Sequence, residues 1–106
     1  AGTNGMVESP ISIIGLDTPI MDPKASYTTG DLNRKLYIFD DKEKRVLQFE
    51  KPIESQEKRH PNELLLLNQY IYEQEGAWED VKGIVVNRDE SAAYILDSTT
   101  IWKVRL

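Results

Sequence analysis

Residues 61–76 read Pro61-Asn62-Glu63-Leu64-Leu65-Leu66-Leu67-Asn68-Gln69-Tyr70-Ile71-Tyr72-Glu73-Gln74-Glu75-Gly76, and the fold class turns on whether they form a helix or a strand. Proline at a first turn, an acid just behind it and glycine beyond the last apolar residue are helix-boundary signals. They predict a helix over about 61–75. At roughly 100° per residue the four leucines ring such a helix. Leu67 and Ile71 reinforce its core-facing arc, Gln69 and Glu73 mark its wet face, and Leu66 sits beside that wet face. Leu66 is thus a candidate contact to another chain, including a homodimer through the helix.

Outward from this stretch the pattern is one of strands. Upstream, residues 35–40 and 45–49 are rich in aromatic and β-branched residues around a charged turn, which predicts a hairpin. Residues 11–16 read as a first strand, and residues 17–30, with Pro19, Pro23 and Thr28-Thr29-Gly30, as one long loop. Downstream, residues 83–87, 92–96 and 101–106 read as three short strands with turns at 87–90 and 97–99. The expected fold is therefore α+β, a mainly antiparallel, curved or barrel-like sheet of five to six strands with one central helix, in the order β-β-β-α-β-β-β. This order resembles the connectivity of the five-stranded OB barrel with a strand to spare. The likeness is one of topology alone.

Period two assigns faces in the last strand. Ile101, Lys103 and Arg105 point outward, while Trp102, Val104 and Leu106 point inward. Leu36 to Phe39 and Ile84 to Val86 are apolar without alternation, as in strands covered on both faces. Leu36-Tyr37-Ile38-Phe39-Asp40 is echoed by Ala93-Tyr94-Ile95-Leu96-Asp97, a match that convergent strand-turn-strand sequences or a duplicated hairpin would both produce. Residues 1–9 are small, polar and aperiodic, as in a flexible terminus or cloning remnant, which leaves 10–106 as a single domain.

Composition narrows the function classes. Eighteen acids against 13 bases give a net charge of −5, which argues against a strong non-specific phosphate binder. There is no cysteine and one histidine, His60. Disulfides, thiolate nucleophiles and sulfur-based metal sites are excluded, and a reducing, cytoplasmic setting is weakly favoured. No apolar run is long enough to cross a bilayer as a helix.

Chemistry-bearing patterns are few, and neither a catalytic residue, a metal site nor a cofactor is assigned. His60 precedes Pro61 in a charged segment and suits a cap or a solvated role. Asp40, Asp41 and Glu43 alternate with Lys42, Lys44 and Arg45, a pattern of a solvated turn rather than a cation site. Arg34, Lys35, Tyr37, Phe39, Arg45 and Phe49 set cations beside aromatics, the ingredients of a single-strand-binding platform. Glu73, Glu75, Glu79 and Asp80 crowd acid at the helix end, against its dipole, with Trp78 between them as an anchor. With Leu66, these five residues form the expected partner-binding surface, suited to a basic protein. The resulting expectation is a non-enzymatic acidic protein-interaction module, such as an inhibitor, immunity protein, adaptor or assembly subunit. An OB-like single-stranded nucleic-acid-binding domain is the alternative, and a small metal-dependent hydrolase or nuclease the third.

Overall fold

The computed structural model describes residues 10–30, 33–51, 63–72 and 75–106. Residues 1–9, His60 and Glu73 lie outside them. Eight strands form two sheets: β1 (Ser12–Ile14), β2 (Pro23–Thr28), β3 (Lys35–Asp40), β4 (Arg45–Glu50), β5 (Glu63–Ile71), β6 (Gly83–Val86), β7 (Ala92–Leu96) and β8 (Ile101–Arg105). The large sheet has the order β1-β5-β4-β3-β2 and the small sheet β6-β7-β8. All neighbours are antiparallel except β1, which runs parallel to β5.

No helix occurs among the described residues, the expected central helix included, and for them the α+β class is corrected to all-β. Residues 63–71 form the longest strand, between β4 and β1. A contiguous apolar run suits a strand with both faces covered as well as it suits a ringed helix, and periodicity does not separate the two. Proline and glycine end a strand as readily as they bound a helix. With the helix goes the likeness to the OB connectivity. The long loop is corrected as well: residues 23–28 inside it pair with β3 as an edge strand that opens on proline, a position where its missing N–H costs nothing. One curved sheet of five to six strands becomes two facing layers.

Between the layers lies the main core, with Tyr37, Phe39 and Val46 of the large sheet against Ile84, Val86, Ala93 and Ile95 of the small one. The opposite face of the large sheet carries a second cluster, Leu47, Phe49 and Leu64, joined by Leu36, Ile38 and Leu66 and covered by Leu16 and Ile20. Leu36 to Phe39 is thus covered on both faces, as its sequence implies. Ile84 to Val86 is not, since Val85 faces solvent. The hairpin echo fails in packing: Tyr37 is buried in the core while Tyr94 stands on the outer face of the small sheet, opposite Lys103.

A buried ion pair fastens the 15–22 segment to the outer face. Arg45 Nη2 lies 3.2 Å from Asp40 Oδ2, with both side chains withdrawn from solvent. The same guanidinium donates to Thr18 O at 2.7 Å, Pro19 O at 3.1 Å and Gln69 Oε1 at 2.9 Å. Asp40 also accepts from the backbone N–H groups of Asp22 and Met21. Burial pushes the Asp40 pKa up, but the backbone donors of Asp22, Met21 and Lys42, together with Arg45, outweigh it and hold the carboxyl below its ordinary value. Asp40 is therefore no part of a solvated turn.

The register reverses the ranking a helix would give. Gln48 pairs with Asn68 and Phe49 with Leu66, so Leu67 is the extra residue of a β-bulge. It is 38% exposed and Ile71 is 60% exposed, not core-facing as a helical arc requires. Leu47→Ala is expected to cost about 2–5 kcal/mol, and Leu67→Ala and Ile71→Ala less than about 1 kcal/mol, as read from urea midpoints. Equal costs would restore the helical phase.

Acid titration tests the clamp. The folded pKa of Asp40 lies below the unfolded one, so its ionisation contributes stability above about pH 4 that is lost as pH falls through the folded value. Asp40→Asn should lower the urea midpoint at neutral pH, with a deficit that shrinks in acid. Arg45→Met, which strands the carboxylate, should cost about 3–5 kcal/mol at neutral pH. A deficit for Asp40→Asn that does not change between neutral and acid pH would show the carboxylate to be uncoupled from folding.

Candidate functional site

The two sheets approach each other most closely where β2 lies against β6. On the opposite side the three-stranded sheet ends at β8 while the larger sheet continues through β5 to β1. There a cleft of about 420 Å³ opens between residues 69–72 at the end of β5, Trp78 and residues 103–105 of β8. A volume of this order accommodates several side chains of a ligand.

Aromatic rings build its floor. Asn68, Tyr70 and Tyr72 share the inward face by period two, with Tyr70 opposite Val46. Trp78 meets Phe39 edge to face at 5.6 Å and Tyr72 at 5.6 Å, and Tyr72 in turn meets Trp102 at 5.5 Å. Trp78 is only 2% exposed, but its placement is costly. Its φ of 58° lies in the left-handed region, worth about 1–3 kcal/mol of strain in a bulky residue. Its Nε1 is buried with no acceptor among the described residues. Lys44 Nζ holds it by donating to Trp78 O at 2.9 Å while pairing with Asp41 Oδ1 at 2.6 Å.

Behind the floor a hydrogen-bond chain crosses from sheet to sheet. Asn68 Nδ2 donates to Gln48 Oε1 at 2.7 Å, Gln48 Nε2 to the Tyr37 hydroxyl at 2.8 Å, and that hydroxyl to Glu90 Oε1 at 2.9 Å. Burial, with lesser opposing and reinforcing effects from Gln48 and Glu90, pushes the Tyr37 pKa up to about 12. Burial also raises Tyr70.

The rim is basic. Lys103 and Arg105 are exposed on β8 and make no ion pair among the described residues. No described carboxylate lines the cleft.

The described members of the sequence-predicted partner set, which exclude Glu73, do not all share one surface. Leu66 is half-buried in the second cluster on the outer face. Glu75, Glu79 and Asp80 are exposed on the β5–β6 connection. Asp80 pairs with Lys82 at 3.3 Å, and its N–H donates to Asp97 Oδ1. Trp78 lies in the core rather than between these acids as a free anchor. The stacking platform is also undone, since Tyr37, Phe39 and Phe49 are fully buried and Arg45 serves the clamp. Among the described residues no group of three or more carboxylates or imidazoles is placed to hold a metal ion. The sequence reading did orient Lys103 and Arg105 correctly but did not join them to Tyr70 and Tyr72. The signal was the alternation of Asn68, Tyr70 and Tyr72, which a helical reading scatters. A scan against protein-family models finds no match, and neither curated proteins nor solved structures yield one.

The polar chain is expected to govern alkaline stability. A folded pKa raised from 10.0 to about 12 gives stability that is intact below the unfolded value and lost as pH rises through the folded one. Urea midpoints should decline from about pH 10 toward pH 12, and Tyr37→Phe should make that decline shallower. An identical decline in both proteins would remove Tyr37 from the linkage.

Proposed function

We propose that this chain is a non-enzymatic protein-interaction module that takes an acidic segment of a partner protein into the cleft between β5 and β8. The observation that carries the reading is the meeting of an aromatic floor with two cations that make no ion pair among the described residues, in the cleft between β5 and β8. Aromatic side chains supply large contact area and arginine supplies forked hydrogen bonding to carboxylates, the residue types that dominate binding energy at interfaces. The partner's charge is thus opposite to the basic one expected from the loop acids. Those acids sit beside cations of their own: Glu79 and Asp80 share a pocket of about 250 Å³ with Lys24, Asp41 and Lys82.

Protein is favoured over nucleic acid by charge and by packing. A net charge of −5 repels a polyphosphate more than a short peptide bearing a few carboxylates. Tyr72 is already packed at tilted angles against both Trp78 and Trp102, an arrangement that serves the protein's own aromatic cluster.

Calorimetric titration with a blocked peptide of about eight residues alternating valine and glutamate tests the reading against its valine–lysine counterpart. The acidic peptide should bind at least about tenfold more tightly at low salt, with a preference that fades as salt rises. Arg105→Glu should abolish that preference without moving the urea midpoint appreciably. Equal affinity for both peptides, no binding of either, or tighter binding of a single-stranded oligonucleotide would overturn it.

A further inference from the structure

We propose that the partner segment binds as an added strand, pairing with the free edge of β8 and presenting acidic and apolar residues in alternation. This deepens the acidic-segment reading above and rests on it.

The phase of the β7–β8 ladder shows which backbone groups are free. Antiparallel partners alternate between pairs that exchange hydrogen bonds and pairs that do not. Asp97 N donates to Thr100 O at 2.8 Å, and Leu106 N to Ser91 O at 3.0 Å. Counting from either end, Trp102 and Val104 exchange bonds with β7. The N–H and C=O groups of Ile101, Lys103 and Arg105 then point the other way, toward the edge. β8 is terminal in its sheet, and among the described residues no hydrogen bond reaches those groups. Residues 103–105 of that edge border the cleft. Backbone groups in this position either stay in water or bond another strand.

The same phase sets the chemistry of the added strand. Its residues directly opposite Lys103 and Arg105 share their outward face, where carboxylates make favourable cross-strand pairs. The residues between share the face of Trp102 and Val104 and come to rest over Tyr70 and Tyr72, where apolar side chains belong. Ile101, 68% exposed on the outward face, extends the contact at the start of the strand. A second copy pairing antiparallel through β8 would set Lys103 and Arg105 against their own counterparts, which is unfavourable. Edge cations commonly guard a sheet against its own kind; here they also choose a partner of opposite charge.

Amide exchange on the full chain, with and without the valine–glutamate peptide, tests the mode. Ile101, Lys103 and Arg105 amides should slow by about tenfold or more with peptide bound. N-methylation of the peptide residues that face β8 should lower affinity at least about tenfold, and methylation of the alternate residues should not. Lys103→Pro removes an edge donor without touching the β7 ladder, so it should weaken binding well beyond Lys103→Ala at a similar urea midpoint. If the acidic peptide binds but these amides are unchanged and both methylation patterns are equivalent, strand addition is wrong while the acidic-segment reading stands. If no acidic peptide binds, that reading fails and this one with it. Protection in the peptide-free protein that rises with protein concentration would give the edge to a second copy and overturn the proposal.

Discussion

Strand β4 has no wet side. From Arg45 to Phe49 every residue is buried, with Val46 and Gln48 facing the small sheet and Arg45, Leu47 and Phe49 facing the 15–22 segment. A strand buried on both faces needs partners for its backbone groups on both edges. β3 supplies one edge through the hairpin turn, and residues 63–71 supply the other. Leucine prefers helix over strand by well under 1 kcal/mol per residue. Each buried backbone group left unpaired along β4 would cost about 1–3 kcal/mol. The long-range demand outweighs the local preference, and the leucine run becomes β5.

That contest explains which parts of the fold are legible in the sequence. The β3–β4 hairpin and the three short strands at the end are local units whose turn chemistry and alternation lie within a dozen residues, and they appear where expected. β5 does not, because an apolar run at 64–67 has no period of its own and its conformation is decided by a strand some fifteen residues upstream. β2 is hidden for a different reason: Pro23, Lys24, Ser26 and Thr28 are the polar and special residues of an exposed edge, and they read as loop. In the cleft, Lys103 and Arg105 are legible from period two. Tyr70 and Tyr72 become visible only once β5 is a strand, and the burial of Trp78 depends on Phe39 and Tyr72 arriving from elsewhere in the chain.

Charge is arranged more finely than the net value suggests. Asp41 is paired with Lys44, Asp80 with Lys82 and Arg34 with Glu50, and Arg45 is consumed by the outer clamp. Lys103 and Arg105 make no ion pair among the described residues and differ from these in bordering an aromatic cleft that no described carboxylate lines. Lys44 ties this arrangement to the cleft, since one ammonium group spans the hairpin turn and the Trp78 carbonyl. The turn between β3 and β4 is thereby tied to the floor of the cleft by one side chain.

The parallel pairing of β1 with β5 joins Ser12 to Glu63, so the large sheet is completed by residues half the chain length apart. The small sheet, by contrast, is a meander of consecutive strands whose contacts span only a few residues. Loop-closure entropy rises with separation and must be met before the contact rewards it. Loop-closure entropy therefore favours the local meander and the β3–β4 hairpin as early units and disfavours early pairing of β1 with β5. Release of the three residues of β1 would uncover the edge of β5 at residues 63–65, apart from the cleft at residues 69–72.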